Sequence, residues 1–136
     1  MFLQVHGNVA GIAGYNENGT ISDCYNNGSI SSYQSGGIVG ANKLGTVKKC
    51  YNLGEIVVKG TYGGIIGGNT DGTVENCYYL NTACTGGING ADIAGQAEVK
   101  TEAELKSADM LTLLGNAFTA DYAIPINSGY PILSWQ

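Results

Sequence analysis

From residue 10 onward the apolar residues never run far enough to line one side of a helix until the last third of the chain. They come singly or in pairs between glycines and polar residues, and the arrangement returns twice. Ile12, Ile21 and Cys24 are followed 26 residues later by Ile38, Val47 and Cys50, and a further 27 residues on by Ile65, Val74 and Cys77. The polar punctuation moves with them: Asn16, Asn42 and Asn69; Gly19-Thr20, Gly45-Thr46 and Gly72-Thr73; Tyr25, Tyr51 and Tyr78 directly after each cysteine.

A repeat of this length implies a solenoid or array, in which one unit cannot bury its own apolar side and stacks on the next. Segments such as Gly37-Ile-Val-Gly40 and Gly45-Thr-Val47 are too short for helices, and they are bounded by turn-forming pairs at 18–19, 27–28, 44–45, 53–54 and 71–72. Each repeat reads as two or three short strands separated by glycine corners. Leucine-rich repeats are disfavoured because leucine occurs inside the repeats only at Leu44, Leu53 and Leu80, where that pattern would want many. A propeller blade needs about 40–50 residues. An antiparallel meander is the remaining rival, since Asn-Gly pairs also close hairpins. The preferred fold class is all-β: a parallel β-solenoid, right-handed as crossovers usually are, of about three coils of 26–27 residues.

Equivalent residues of successive coils would then lie above one another at about 4.8 Å. Ile12, Ile38 and Ile65 form one predicted core ladder, Ile21, Val47 and Val74 a second, Cys24, Cys50 and Cys77 a third, and Ile30 with Ile56 a partial fourth. Between the second and third ladders lie the polar pairs Ser22-Asp23, Lys48-Lys49 and Glu75-Asn76. Strict alternation would turn one flanking apolar residue outward, so the chain is expected to bend at these pairs.

The chain divides into residues 1–9, an incoming strand; 10–82, the three repeats; and 83–136, a degenerate coil with a small α/β cap. Gly86-Gly-Ile-Asn-Gly-Ala-Asp92 is the weakened echo of the repeat. Thr101-Glu-Ala-Glu104 has the form of a capping box. It predicts a helix to about Leu114, stopped by Gly115, with Leu105, Ala108, Leu111 and Leu114 on one side. Its expected role is to cover the open end of the solenoid. Asn127 to Trp135 reads as a turn into a short apolar strand docked on that cap.

Composition then narrows the function. The chain has 136 residues, 22 of them glycine, with a net charge of −5 and no arginine. A nucleic-acid partner is disfavoured, because such binding starts from a basic footprint. The acidity is concentrated after residue 82, where six acids face two lysines. No apolar run is long enough to suggest insertion into a membrane, and residues 1–14 lack the layout of an export signal. An extracellular location would therefore make this chain part of a longer precursor.

The tetrads Gly11-Ile-Ala-Gly14, Gly37-Ile-Val-Gly40 and Gly64-Ile-Ile-Gly67, each followed by Asn, Gly-Thr-(Ile/Val) and Cys-Tyr, resemble the GLUG repeat of bacterial extracellular proteins. The resemblance covers residues 10 to about 82. The closing Gly-Tyr-Pro-Ile-Leu-Ser-Trp is similar to the end of the same kind of surface protein. It implies a module of a large secreted or surface-attached bacterial protein, such as an adhesin-like chain or the non-catalytic part of an immunoglobulin A peptidase. The zinc chemistry of those peptidases needs a His-Glu-x-x-His helix, and His6 is the only histidine here, so no catalytic residue carries over.

The residues themselves point the same way. No Gly-Lys-Ser/Thr follows any glycine-rich segment, so a phosphate loop is not indicated and the glycines are assigned to corners. The four cysteines match no zinc spacing. Cys24, Cys50 and Cys77 read as small buried hydrophobes, and Cys77 with Cys84 is the one bridge kept open. Asp71, Asp92, Asp109 and Asp121 are too scattered for a calcium loop, and no metal or cofactor is expected. Asn16, Asn42 and Asn69 read as a structural stack.

Tyr25, Tyr51 and Tyr78 are the candidate ligand-binding residues. Each follows an inward cysteine, so all three are expected to face outward as an exposed aromatic ladder able to stack on a sugar or anchor a protein. The alternative is that the rings merely stabilise the sheet. Polysaccharide-degrading β-helices use paired carboxylates or calcium with a strong base, and no carboxylate pair recurs on adjacent coils here. The expected function is a non-catalytic adhesive module for a glycan or a host matrix protein. The alternative is a passive spacer presenting neighbouring domains, with self-association through the first coil a further expectation.

Overall fold

The computed structural model describes residues 2–136, the first five of these by backbone alone. Met1, assigned above to the incoming strand, lies outside the described residues, as does the side chain of His6.

Three coils stack as a parallel solenoid with four strands each. The first coil holds β1 (Phe2–Ala10), β2 (Ala13–Glu17), β3 (Thr20–Ser22) and β4 (Tyr25–Asn26). The second holds β5 (Ser29–Gly36), β6 (Val39–Lys43), β7 (Thr46–Lys48) and β8 (Tyr51–Asn52). The third holds β9 (Ile56–Gly63), β10 (Ile66–Thr70), β11 (Thr73–Glu75) and β12 (Cys77–Leu80). Like strands pair into sheets β1-β5-β9, β2-β6-β10, β3-β7-β11 and β4-β8-β12, and every pairing among them is parallel. The meander is thereby excluded.

Four strands per coil, where two or three were expected, follow from the polar pairs. Asp23, Lys49 and Asn76 adopt left-handed backbone with φ of 57°, 53° and 48°. That corner lets Ile21, Val47 and Val74 on one side and Cys24, Cys50 and Cys77 on the other all face the interior. Each cysteine thiol donates to the carbonyl two residues back, Cys24 to Ser22 at 3.1 Å, Cys50 to Lys48 at 3.2 Å and Cys77 to Glu75 at 3.4 Å. A thiol is small and apolar enough for the core and adds a bond to a carbonyl that, at Lys48 and Glu75, also accepts a backbone N–H from the preceding coil, from Asp23 and Lys49 respectively. All four cysteines are free, including Cys77 and Cys84.

The alternation of 26 and 27 residues has a local cause. Tyr33 in β5 stands alone where Lys59 and Gly60 occupy β9, and the pairing slips there by one residue. The extra residue is absorbed as a bulge, leaving the core ladders in register on both sides of it.

The core ladders are complete in the second and third coils and open in the first. Ile38 and Ile65 are fully buried whereas Ile12 is 44% exposed, and Ile21 and Cys24 are half-buried where Val47 and Cys50 are sealed. Ile30 and Ile56 pack with Val9 as the expected fourth ladder. At the opposite end the degenerate coil closes the core: Ile88 bridges to Ile66, and Ala83, Ile88 and Ala97 pack on the third coil.

That closure corrects the predicted role of the helix. After β13 (Ala97–Lys100), which extends the fourth sheet by pairing with β12, the chain turns back along the outside of that sheet. The single predicted helix is two, α1 (Glu102–Leu105) and α2 (Ala108–Leu114). The capping box forms as expected, with Glu104 N–H donating to Thr101 Oγ1 and Thr101 N–H to Glu104 Oε1. Ser107 then caps a second start by accepting from Met110 N–H at 3.2 Å. The restart shifts the helical phase, so Met110 is buried and Ala108 is exposed. Gly115, with φ of 89°, ends α2 as predicted. β14 (Phe118–Thr119) and β15 (Ile132–Leu133) pair antiparallel as the terminal strand docks.

Leu44 has φ of 55° at the corner where the other coils place Asn18 and Asp71. A leucine costs about 1–2 kcal/mol in this region, and asparagine tolerates it better. Leu44 is also 53% exposed, so little packing opposes its replacement. Leu44→Asn is expected to raise the melting temperature by about 2–4 °C. An unchanged or lowered transition in a thermal scan would mean that the corner carries no strain.

Candidate functional site

Tyr25, Tyr51 and Tyr78 are neighbours across the fourth sheet, Tyr25 opposite Tyr51 and Tyr51 opposite Tyr78. Their direction is as expected: they point away from the cysteine core. Their exposure is not. Tyr51 is fully buried and Tyr78 only 2% exposed, because the chain's own tail lies over them. Leu105, Met110, Leu114 and Phe118 pack on the rings as a second apolar core. The ladder is thus an internal docking strip, and the expectation of an exposed aromatic ladder is corrected. The reason is amphipathy in the tail: its apolar side needed a surface, and the row of outward rings supplied one.

Polar atoms fix the tail's register on that strip. The Tyr51 hydroxyl donates to the Pro131 carbonyl and accepts from Asn127 Nδ2 at 2.9 Å. The Tyr25 hydroxyl donates to Gln136 Oε1 at 3.1 Å, and that oxygen also accepts from Leu133 N–H at 2.8 Å. Tyr25 and Tyr51 stack with centroids 5.1 Å apart, Phe118 tilts onto Tyr51 at 5.8 Å, and Lys100 stands over the Tyr78 ring at 5.6 Å. Asp121 organises the loop between the terminal strands by accepting from the N–H groups of Tyr122, Ile126, Asn127 and Gly129. Asp92 accepts from the Tyr79 hydroxyl. Among the described residues no group of three or more His, Cys, Asp or Glu is placed to share a metal ion.

Asn16, Asn42 and Asn69 form the expected stack. Asn16 Nδ2 donates to Asn42 Oδ1 at 2.8 Å, Asn42 Nδ2 to Asn69 Oδ1 at 2.9 Å, and each also donates to the carbonyl of the glycine three residues on. A second stack went unread in the sequence. Asn26 Nδ2 donates to Asn52 Oδ1 at 2.8 Å, and each side chain closes its own turn to Gly28 or Gly54. The repeated Tyr-Asn pairs at 25–26 and 51–52 were the available signal. Tyr79 takes the third place, and its ring packs in the end of the core.

These stacks also explain the glycines, for a reason other than backbone freedom. Gly19, Gly45 and Gly72 do not have positive φ; the residue before each one does. A Cβ on Gly45 would stand 2.3 Å from Asn16 Nδ2 and 2.5 Å from Asn42 Oδ1. One on Gly37 would stand 2.0 Å from the Gly64 carbonyl oxygen and 2.3 Å from Asn52 Nδ2. Side-chain amides, joined at Gly37 by that carbonyl, occupy the space that any other residue would fill.

Burial beneath the tail, and after it the neighbouring Tyr25, holds the Tyr51 phenol well above its ordinary range. Burial first and then Glu98 push Tyr78 up to about 12, and burial with the bond to Asp92 raises Tyr79 further. These phenols are neutral when folded and ionise more readily when unfolded, near pH 10. Their contribution to stability should therefore be complete below about pH 10 and fall as pH climbs through about 12. Tyrosinate absorbance followed with circular dichroism should show these rings ionising together with unfolding; early ionisation of all tyrosines in a folded chain would contradict it. Tyr51→Phe should cost about 1–2 kcal/mol through its lost bonds, and Tyr51→Ala about 3–5 kcal/mol, measured by denaturant unfolding.

Neither a curated protein nor a solved structure matches the chain. A family model does: residues 6–31, which include Asn16, Cys24 and Tyr25 of the first coil, match the GLUG motif.

Proposed function

We propose that this chain is a rigid, non-catalytic spacer module of a longer bacterial surface or secreted protein, working through its shape and holding neighbouring domains apart. The observation that carries the reading is the use of the outward tyrosines. A binding ladder would need those rings free, and here Tyr51 and Tyr78 are consumed in fixing the tail to the coils. Stacked asparagine amides and a filled core favour stiffness along the solenoid axis.

Adhesion to a glycan or matrix protein is the second reading, and one observation favours it. Tyr122, Ile124, Ile126 and Trp135, all in the tail, are 54%, 87%, 58% and 80% exposed, and Tyr122 is tied to the terminus by its hydroxyl donating to the Gln136 carbonyl at 2.7 Å. Exposed apolar and aromatic groups of this kind suit contact with a sugar or protein surface.

Binding of the purified chain to an array of glycans and matrix proteins, beside Trp135→Ala and Ile124→Ser variants, separates the two. The spacer reading expects no specific binding. Specific binding that the folded variants lose would transfer the function to the tail's exposed groups, and hydrolysis on a polysaccharide panel would sink both readings.

A further inference from the structure

We propose that the open side of the first coil is a docking surface for one more parallel coil of the same repeat. This rests on reading the chain as one module of a longer protein. The two ends of the solenoid carry the same ladders in different states. Ile65, Val74 and Cys77 are covered by the degenerate coil, while Ile12, Ile21 and Cys24 are not covered in the same way. On this side all four sheets also end in an edge strand, β1, β2, β3 and β4.

The polar groups say what fits. In the asparagine stack each amide donates toward the following coil, Asn16 to Asn42 and Asn42 to Asn69. Asn16 is only 9% exposed, and both hydrogens of its amide are spent on Gly19 and Asn42. Among the described residues no asparagine donates to its Oδ1, which is the acceptor at the end of the stack. Among the described residues Asn26 Oδ1 receives the N–H of Gly28 alone, whereas Asn52 Oδ1 receives both Gly54 N–H and the Asn26 amide. The occupant therefore carries amide donors at both registers.

Charge selects against a second copy of this chain. The first coil bears Glu17 and Asp23 and no lysine, the first lysine of the sequence being Lys43. Two such ends face to face would bring carboxylates together, whereas the second coil sets Lys43 beside Glu17 at 3.9 Å. The occupant thus repeats the chemistry of the second coil: apolar at the Ile12 and Ile21 registers, asparagine at Asn16 and Asn26, glycine at Gly19 and lysine at Glu17.

The test joins a second copy of residues 29–54 ahead of Phe2 in the full chain, with serine at the copy's cysteine, and follows alkylation of each thiol by peptide mass spectrometry. A matched extension carries lysine at the copy's Ile38 and Val47 positions. The intact extension is expected to slow alkylation of Cys24 by about tenfold or more while Cys84 is unchanged, and to raise the melting temperature. The lysine-bearing extension should leave Cys24 as reactive as in the unextended chain. Undiminished Cys24 reactivity with the intact extension would overturn the proposal, as would equal protection by both extensions. So would a dimer of the unextended chain that shields Cys24 and dissociates on Ile12→Lys, since the occupant would then be a second copy. None of these readouts depends on whether the module binds a ligand.

Discussion

The register of one coil on the next is the constraint on which everything else in this protein rests. Parallel strands supply backbone hydrogen bonds between coils, but a one-residue slip would move every side chain to the opposite side of its sheet. The asparagine stacks oppose such a slip. Asn42 binds the coil below, the coil above and its own turn through one amide group, and the three contacts are satisfied together only when Asn16, Asn42 and Asn69 are aligned. The neighbouring glycines are part of the same device, since Gly45 leaves room for two amides at once.

Register at the asparagines then tolerates irregularity elsewhere. The bulge that places Lys59 and Gly60 opposite the single Tyr33 lengthens the third coil without disturbing the ladders on either side. The polar pairs before the cysteines vary freely in charge because only their backbone is constrained, to left-handed φ at Asp23, Lys49 and Asn76. The thiols that follow turn inward and donate to the carbonyls just before that corner. A coil of this kind asks for a few residue types at fixed offsets and leaves the rest open.

Closure is handled differently at the two ends and along the side. The degenerate coil ends the core ladders, with Tyr79 replacing the asparagine that would otherwise have continued the second stack. The tail is then free to fold back over the tyrosines, where Leu105, Met110, Leu114 and Phe118 bury an apolar row that would otherwise face water. That second core links the third coil to the first, since the tail contacts Tyr78, Tyr51 and finally Tyr25 through Gln136. It restrains the stack from outside as the asparagines do from within.

Periodicity alone determined the solenoid, its three coils, the inward ladders, the corners at the polar pairs and the outward direction of the tyrosines. Each of these depends on residues close in sequence or on the identity of three aligned copies, and a repeat prints such information three times. The Asn26–Asn52 stack was written there too, although its third copy, Tyr79, breaks the pattern. The tail was legible only locally: the capping box at Thr101 and the stop at Gly115 follow from a few adjacent residues, and both form. Where that tail lies, and hence the burial of Tyr51 and Tyr78, depends on contacts between residues up to 111 positions apart, such as Tyr25 with Gln136. Those contacts have no period, so only the packing of a non-repetitive segment against the finished solenoid decided them.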